Sequence, residues 1–542
     1  MAAGVQAASL QLCPQARDTG GAGTEFVRPD GTRMQLVVSE APEAGCGGTA
    51  LPVDAGTIAA IHPLAPAIAK ALGERILLQG PEREGRFTIG SVTASAGTSA
   101  PDRPQPMPML ENLLPAMEAQ VFGVEERVQA RIEGGRLRLR CSAGTHPAGV
   151  LLTGKWTLPL ARATLRLDGS ANGRFEVSIA DAAHAAKESA TGLGAVLPDK
   201  ASTELPLPRE GFDRGTWRSF SIACPRQAAE LDLSELTLVP QSASPAVRSA
   251  WVWDSRQWAE RADDVIARAQ ERGVRALFIS VPVSGDAILD PRPLSAFVRR
   301  AKSAGIAVWS VDGDPRMVLP AEHAKTVARV RAYAAYNASV EADARLAGMQ
   351  FDIEHYLLPG YELSAQGLDR HYIALARALR RAAHGMPLEF VVPFWWAEKA
   401  ELMEGLSSAA SGLTVMNYRT DPAQIRRFAV PFLDWGTAHG KSVRIALEAG
   451  PVEAEQQRRY VRAVEGELWL VSVEQVPVLV LLKEPRRNPH GPAFRLESTS
   501  IFDGSATSFH RDPARLVELL PGLEHLFSAW PSFGGIALHE LN

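Results

Sequence analysis

The stretch Gly348-Met349-Gln350-Phe351-Asp352-Ile353-Glu354 decides how the rest of the chain is read. It lies between a long helical run and a loop containing proline and glycine, and its apolar residues mark a buried strand. The strand ends in two carboxylates, Asp352 and Glu354, spaced two apart. Residues i and i+2 of a strand point to one face, so both acids are expected to look into one cavity. Two carboxylates in a low-dielectric site cannot both ionise easily, so one becomes a usable proton donor near neutral pH. The plain alternative is an acidic strand end that caps the next helix. Convergence of other strand ends on the same place favours chemistry.

Working outward, apolar runs and helical stripes alternate from residue 246 onward. Ala250–Trp253, Ala276–Val281, Ile306–Val311, the 348–354 stretch, Leu388–Pro393, Leu413–Met416, Val443–Leu447 and Gly535–His539 read as eight strands. Between them lie stripes such as Trp258, Ala262, Val265, Ile266 and Ala269, and long helices over 321–345 and 364–384. Eight strands separated by helices predict a (β/α)8 TIM barrel over 246–542. The interval 451–511 exceeds what one helix needs, and 468–473 with 476–482 reads as an inserted hairpin near the barrel's active face. Upstream, short alternating segments such as Arg136–Arg140 and Phe175–Ile179 predict an antiparallel β-sandwich over 120–241. Residues 1–119 take no fold assignment; within them 58–72 reads as a helix and 101–108 as a linker.

A length of 542 residues calls for two or three domains, and 46% hydrophobic with 22% charged residues describes a globular protein with ample core. A net charge of −4 argues against nucleic acid as partner. No apolar run approaches the ~20 residues of a membrane span. The four cysteines, Cys13, Cys46, Cys141 and Cys224, have no CxxC spacing, so no metal site is expected. Their even number in a strand-like region suggests Cys13–Cys46 and Cys141–Cys224 disulfides in a secreted or periplasmic protein, its signal peptide not in this sequence. Four buried free thiols in a cytosolic protein are the alternative.

Barrel active sites form at the C-terminal strand ends. Those ends carry Trp253 and Asp254, Asp312, Asp352 and Glu354, Trp395 and Trp396, Asn417, Tyr418 and Arg419, Glu448, then His539 and Glu540. His355 and Tyr356 follow the acid pair. The ring combines carboxylates and aromatics without a phosphate loop or metal-type histidine cluster, and no cofactor is implied. Flat aromatic faces stack on sugar rings, and carboxylates bind hydroxyls and perform glycosidic chemistry. The ring therefore points to a polysaccharide or oligosaccharide. Several members have structural alternatives: Trp253 as core, Asp312 as the cap of a turn.

These motifs resemble those of the chitinase-like glycoside hydrolases of family 18 and related polysaccharide-active barrels. That family ends its fourth strand in D-x-x-D-x-D-x-E; here Ala347 to Glu354 matches at Asp352 and Glu354, with Ala347 and Gln350 replacing the earlier acids. Met416-Asn417-Tyr418-Arg419 is similar to its Met-x-Tyr-Asp. Gly534 to Glu540 is similar to its Gly-Gly-hydrophobic-Trp-Glu, with His539 for Trp. The resemblance implies that Glu354 protonates the glycosidic oxygen, Asp352 orients a 2-acetamido group that attacks the anomeric carbon, and Tyr418 bonds the developing ring. A rival route uses the same acid with Glu448 as nucleophile. Beside hydrolysis stand two other readings: a non-catalytic carbohydrate-binding protein on a decayed hydrolase barrel, and a structural protein whose barrel serves an interface.

Overall fold

The structure, a computed structural model, describes residues 7–14, 23–27, 33–39, 51–54, 57–94, 105–181, 190–209, 215, 217–245, 247–358 and 361–539. Eight parallel strands close into a barrel: β1 (Arg248–Val252), β2 (Val274–Ser280), β3 (Ala307–Asp312), β4 (Met349–Phe351), β5 (Leu388–Pro393), β6 (Gly412–Met416), β7 (Ser442–Glu448) and β8 (Phe533–His539). Each of the seven connections between them holds at least one α-helix, and no eighth helix follows β8 among the described residues. The architecture is thus a closed parallel barrel with helices in its seven connections, two of them in the first, and departs in part from the regular (β/α)8 expectation.

Strands buried on both faces are largely apolar on both, and β5 and β6 are buried at every position, with Glu389 and Thr414 their polar exceptions. Alternate residues divide the work. Trp251, Phe278, Val311, Val391, Met416, Ala446 and Ala537 fill the barrel interior. Val252, Ile279, Phe390, Val415, Ile445 and Ile536 pack outward among the helices. β4 is short because the chain leaves the ladder after Phe351, yet alternation persists past it: Ile353 is buried in the outer core, and Asp352 and Glu354 are half-buried. Gly348 precedes β4 for a steric reason, since a Cβ there would lie 2.2 Å from the Trp309 ring.

The sandwich is two five-stranded antiparallel sheets, one ordered 118–123, 148–153, 217–223, 175–181, 191–196 and the other 128–133, 136–141, 229–240, 163–171, 202–206. Cys141, at the end of a strand in the second sheet, is bonded to Cys224, just past a strand of the first, so the disulfide ties the sheets together. Cys46 lies outside the described residues, as does the side chain of Cys13.

Two expectations for the N-terminal portion are corrected. Residues 58–72 are not one helix: Ile58–Pro63 is a strand, and only Pro66–Ala71 is helical. His62 and Pro63 continue the extended ladder, and the helix starts only where Pro66 supplies its first turn. In the 101–108 segment, Gln105–Pro106 pairs with Trp156–Thr157, and Met107 is buried in the sandwich core rather than in a linker. The hairpin expected within the insertion is present (Gly466–Val473 with Val476–Arg486) and belongs to a larger sheet. That sheet runs 58–63, 476–486, 466–473, 493–502, 455–463, 75–83, 86–87, with 91–94 also on 75–83. N-terminal strands therefore flank strands inserted between β7 and β8.

Candidate active site

Beyond Phe351 the backbone of β4 stays tied to β3, Asp352 N–H donating to the Asp312 carbonyl at 2.8 Å. Gly313 makes the approach possible, because a Cβ there would sit 2.2 Å from the Asp352 carbonyl oxygen. Burial, and then the Glu354 charge, push the Asp352 carboxyl up to about 7, with His539 opposing. Asp352 Oδ1 is buried with no hydrogen-bond partner among the described residues. Glu354 accepts a hydrogen bond from the Tyr356 hydroxyl. Burial and that carboxylate hold the Tyr356 hydroxyl well above the usual phenol range. The Tyr356 ring meets Trp395 edge-on at 4.9 Å.

His355, between these two residues, turns the other way. Its ring is packed by Tyr372 at 5.0 Å, Trp396 at 5.3 Å and Tyr361 at 5.5 Å. Nε2 lies 2.9 Å from Asp369, whose other oxygen accepts from Lys399 at 2.5 Å. This clamp fixes the turn on which Glu354 and Tyr356 stand.

The facing wall comes from β6, β7 and β8. Burial raises the Tyr418 hydroxyl well above its normal range, and Asp352, Glu448 and Glu354 raise it further. One buried hydroxyl thus lies within electrostatic reach of three carboxyls on two strands. Glu448 is buried; Oε1 accepts from the Gly450 backbone N–H, and Oε2 lies 2.5 Å from His539 Nδ1. The His539 ring is 5.9 Å from Tyr418 and 6.0 Å from Trp251.

Beneath lies a polar layer that sequence reasoning missed. Gln350 Nε2 donates to Glu389 Oε1 and Thr414 Oγ1, each at 3.1 Å, and its Oε1 accepts from Trp251 Nε1 at 2.6 Å. Arg444 lies 3.3 Å from Glu389, both nearly inaccessible, and donates to the Gly534 carbonyl at 2.9 Å. Gln350, which stands where the resembled family has an acid, is an amide here because it must donate to Glu389; a carboxylate has no hydrogen to give. The signal was present, since Glu389 and Arg444 each interrupt an apolar strand run.

Other residues from the strand-end ring fall elsewhere. Asp254 accepts from Arg256 N–H at 3.0 Å and caps the helix Ser255–Glu260. Asp312 pairs with Arg329 and accepts from Tyr333 at 3.1 Å, both on the helix Pro320–Ser339; the cap of the following turn is Asp314. Asn417 is fully buried and donates to the Ile425 carbonyl at 2.7 Å, fastening β6 to its helix. Arg419 stacks on Phe394 at 4.4 Å. Trp396 is core, whereas Trp395 is exposed; both lie on the 3-10 turn Phe394–Glu398, where successive side chains point about 120° apart. Trp253 is exposed at the end of β1. Glu540 lies outside the described residues. A separate hollow of about 580 Å³ lies on the sandwich; it is lined by Arg131, Arg138, Arg140, Glu230 and Asp232 and has no aromatic wall.

An eight-stranded parallel barrel with carboxylates and aromatics at its C-terminal mouth is what fold and site define together. No family model and no curated protein matches the sequence. Among solved structures the chain is similar to the spore cortex-lytic enzyme SleL of Bacillus cereus, with TM-score 0.31 and 11% identity over 57% of this chain and 74% of that one. It is similar to a two-module part of endo-1,4-beta-D-xylanase 10B of Clostridium thermocellum, with TM-score 0.28 and 10% identity over 63% and 81%. It is similar to a family 29 carbohydrate-binding module, with TM-score 0.18 and 12% identity over 23% of this chain and 78% of that one. Likenesses this partial do not bear on function, which rests on the residues.

Proposed function

We propose that the protein is a glycoside hydrolase acting on a polysaccharide, with Glu354 as general acid and base. The observation that carries this is the convergence of Asp352, Glu354 and Glu448 on Tyr418 at a barrel mouth flanked by exposed indoles. Asp352, its carboxyl pushed up to about 7 by burial and by Glu354, stands beside Glu354, and Glu354, held by Tyr356, is the acid that serves the leaving oxygen. Two routes complete the reaction. In one, Asp352 uses its unpartnered oxygen to orient a 2-acetamido group of the substrate, with Tyr418 bonding the developing ring. In the other, Glu448 is the nucleophile, held in place by the Gly450 N–H and His539. The substrate decides between them, because cleavage of a polymer without 2-acetamido groups excludes the first. The Cys141–Cys224 disulfide supports a place outside the cytoplasm.

The test is Glu354→Gln assayed for reducing ends on a polysaccharide panel. Loss of a general acid should lower the rate on the order of 10²–10⁴-fold with thermal unfolding unchanged. Full activity on every polymer cut by the wild type would end this assignment. The Gln350 substitution supports a second reading, a binding protein on a hydrolase-like barrel; it predicts glycan binding without any release of reducing ends.

A further inference from the structure

Strand order in the closed barrel places β1 and β5 four positions apart among eight, so they face each other across the mouth. Each ends in a solvent-exposed tryptophan: Trp253, 37% exposed, directly after β1, and Trp395, 41% exposed, two residues after β5. Burying an indole is one of the larger apolar gains open to a fold, and both strands bury another tryptophan nearby, Trp251 and Trp396. Two indoles partly exposed at opposite points of one rim offer a flat apolar platform on each side of the mouth. Trp395 is linked to the acids through Tyr356, which touches its ring and bonds Glu354. Trp253 follows the floor residue Trp251 by two, on the side of the barrel where Trp251 meets His539. Eight strands ~4.8 Å apart and tilted ~36° enclose a barrel about 15 Å across, wider than any single sugar ring.

We propose that an unbranched, β-linked polysaccharide chain crosses the mouth from Trp253 to Trp395, gripped on both sides of the acids. The cut then falls inside the chain, and the action is endo. Equatorially linked chains present flat C–H faces to an indole at each end, whereas a pocket for a chain terminus needs only one platform. The location of the cut rests on the hydrolase reading; the two-sided grip does not.

The experiment keeps the two apart by measuring binding in full-length Glu354→Gln, with cello-, xylo- and chito-hexaose and their disaccharides as probes, by calorimetry. At least one hexaose should bind tenfold or more tighter than its disaccharide. Trp253→Ala and Trp395→Ala should each weaken it by about tenfold, and Trp→Phe at either place should restore most of the loss. Equal affinity for hexaose and disaccharide, an effect of only one tryptophan, or binding of none of the three hexaoses overturns the grip. On a polymer that wild type cuts, viscosity should fall early relative to reducing ends; release of a single short product from the outset overturns endo action alone. Absence of cleavage with the grip intact sinks the hydrolase reading instead.

Discussion

Asp352 has a buried oxygen without a donor, a carboxylate two residues away and little water around it, and each raises the cost of its charge. Its folded pKa, about 7, stands above the ordinary aspartate value of 3.8, so between those values the folded state binds more protons than the unfolded one. Stability therefore falls as pH rises through that window, and the loss is complete above about 7. Asp352→Asn removes the titration while keeping the shape. It should raise the melting temperature more at pH 8 than at pH 5, by a free energy on the order of a few kcal/mol at the higher pH. A gain independent of pH contradicts this account. His539 opposes the upward push on Asp352, so His539→Asn should move the alkaline limb of kcat/KM to higher pH. An unmoved limb would detach His539 from the acid pair.

At the scale of elements, the layer of Gln350, Glu389, Thr414 and Arg444 makes β4, β5, β6 and β7 agree on one register. Buried ion pairs owe little net stability to their attraction, but removal of one partner strands the other. Glu389→Ala should cost about 3–5 kcal/mol in denaturant unfolding, and Glu389→Leu with Arg444→Met should recover most of it. If the double variant is no better than the single one, the pair is not the unit. The barrel strands were legible because burial on both faces imposes continuous apolar runs such as Ala276–Ile279. Glu455–Ala463 and Ala493–Phe502 were not, because the first is mostly half-buried and polar, the second is mostly exposed, and the pairing of Glu455–Ala463 with 75–83 depends on a partner far away in the chain. The acids at 352 and 354 could be read from spacing alone. Which other ring members belonged to the site could not, since Asp254, Asp312 and Asn417 are spent on caps and helix anchors that only the fold defines.

At the scale of the whole molecule, strands 58–63 and 75–83 hold the insertion between them, pairing with 476–486 and 455–463 respectively. Sequence order hides this arrangement: Gln79 and its side-chain partner Glu455 lie 376 positions apart, with the sandwich and most of the barrel between them. Such pairing closes a long loop, so its energy must come from local burial, here Ile76, Leu78, Tyr460, Leu479 and Phe494 on one face. His62 makes this sheet sensitive to acid. Burial lowers its pKa from 6.5 to about 4, so between those values the unfolded chain binds more protons than the folded one. Stability of strand 58–63 against Val476–Arg486 should therefore fall as pH drops from 6.5 towards 4, while the barrel strands lose less. Hydrogen exchange, corrected for the intrinsic rate, should show protection over 476–486 falling between pH 7 and pH 4.5 in the wild type and much less in His62→Leu. Equal losses in both proteins would place the acid sensitivity elsewhere than at His62.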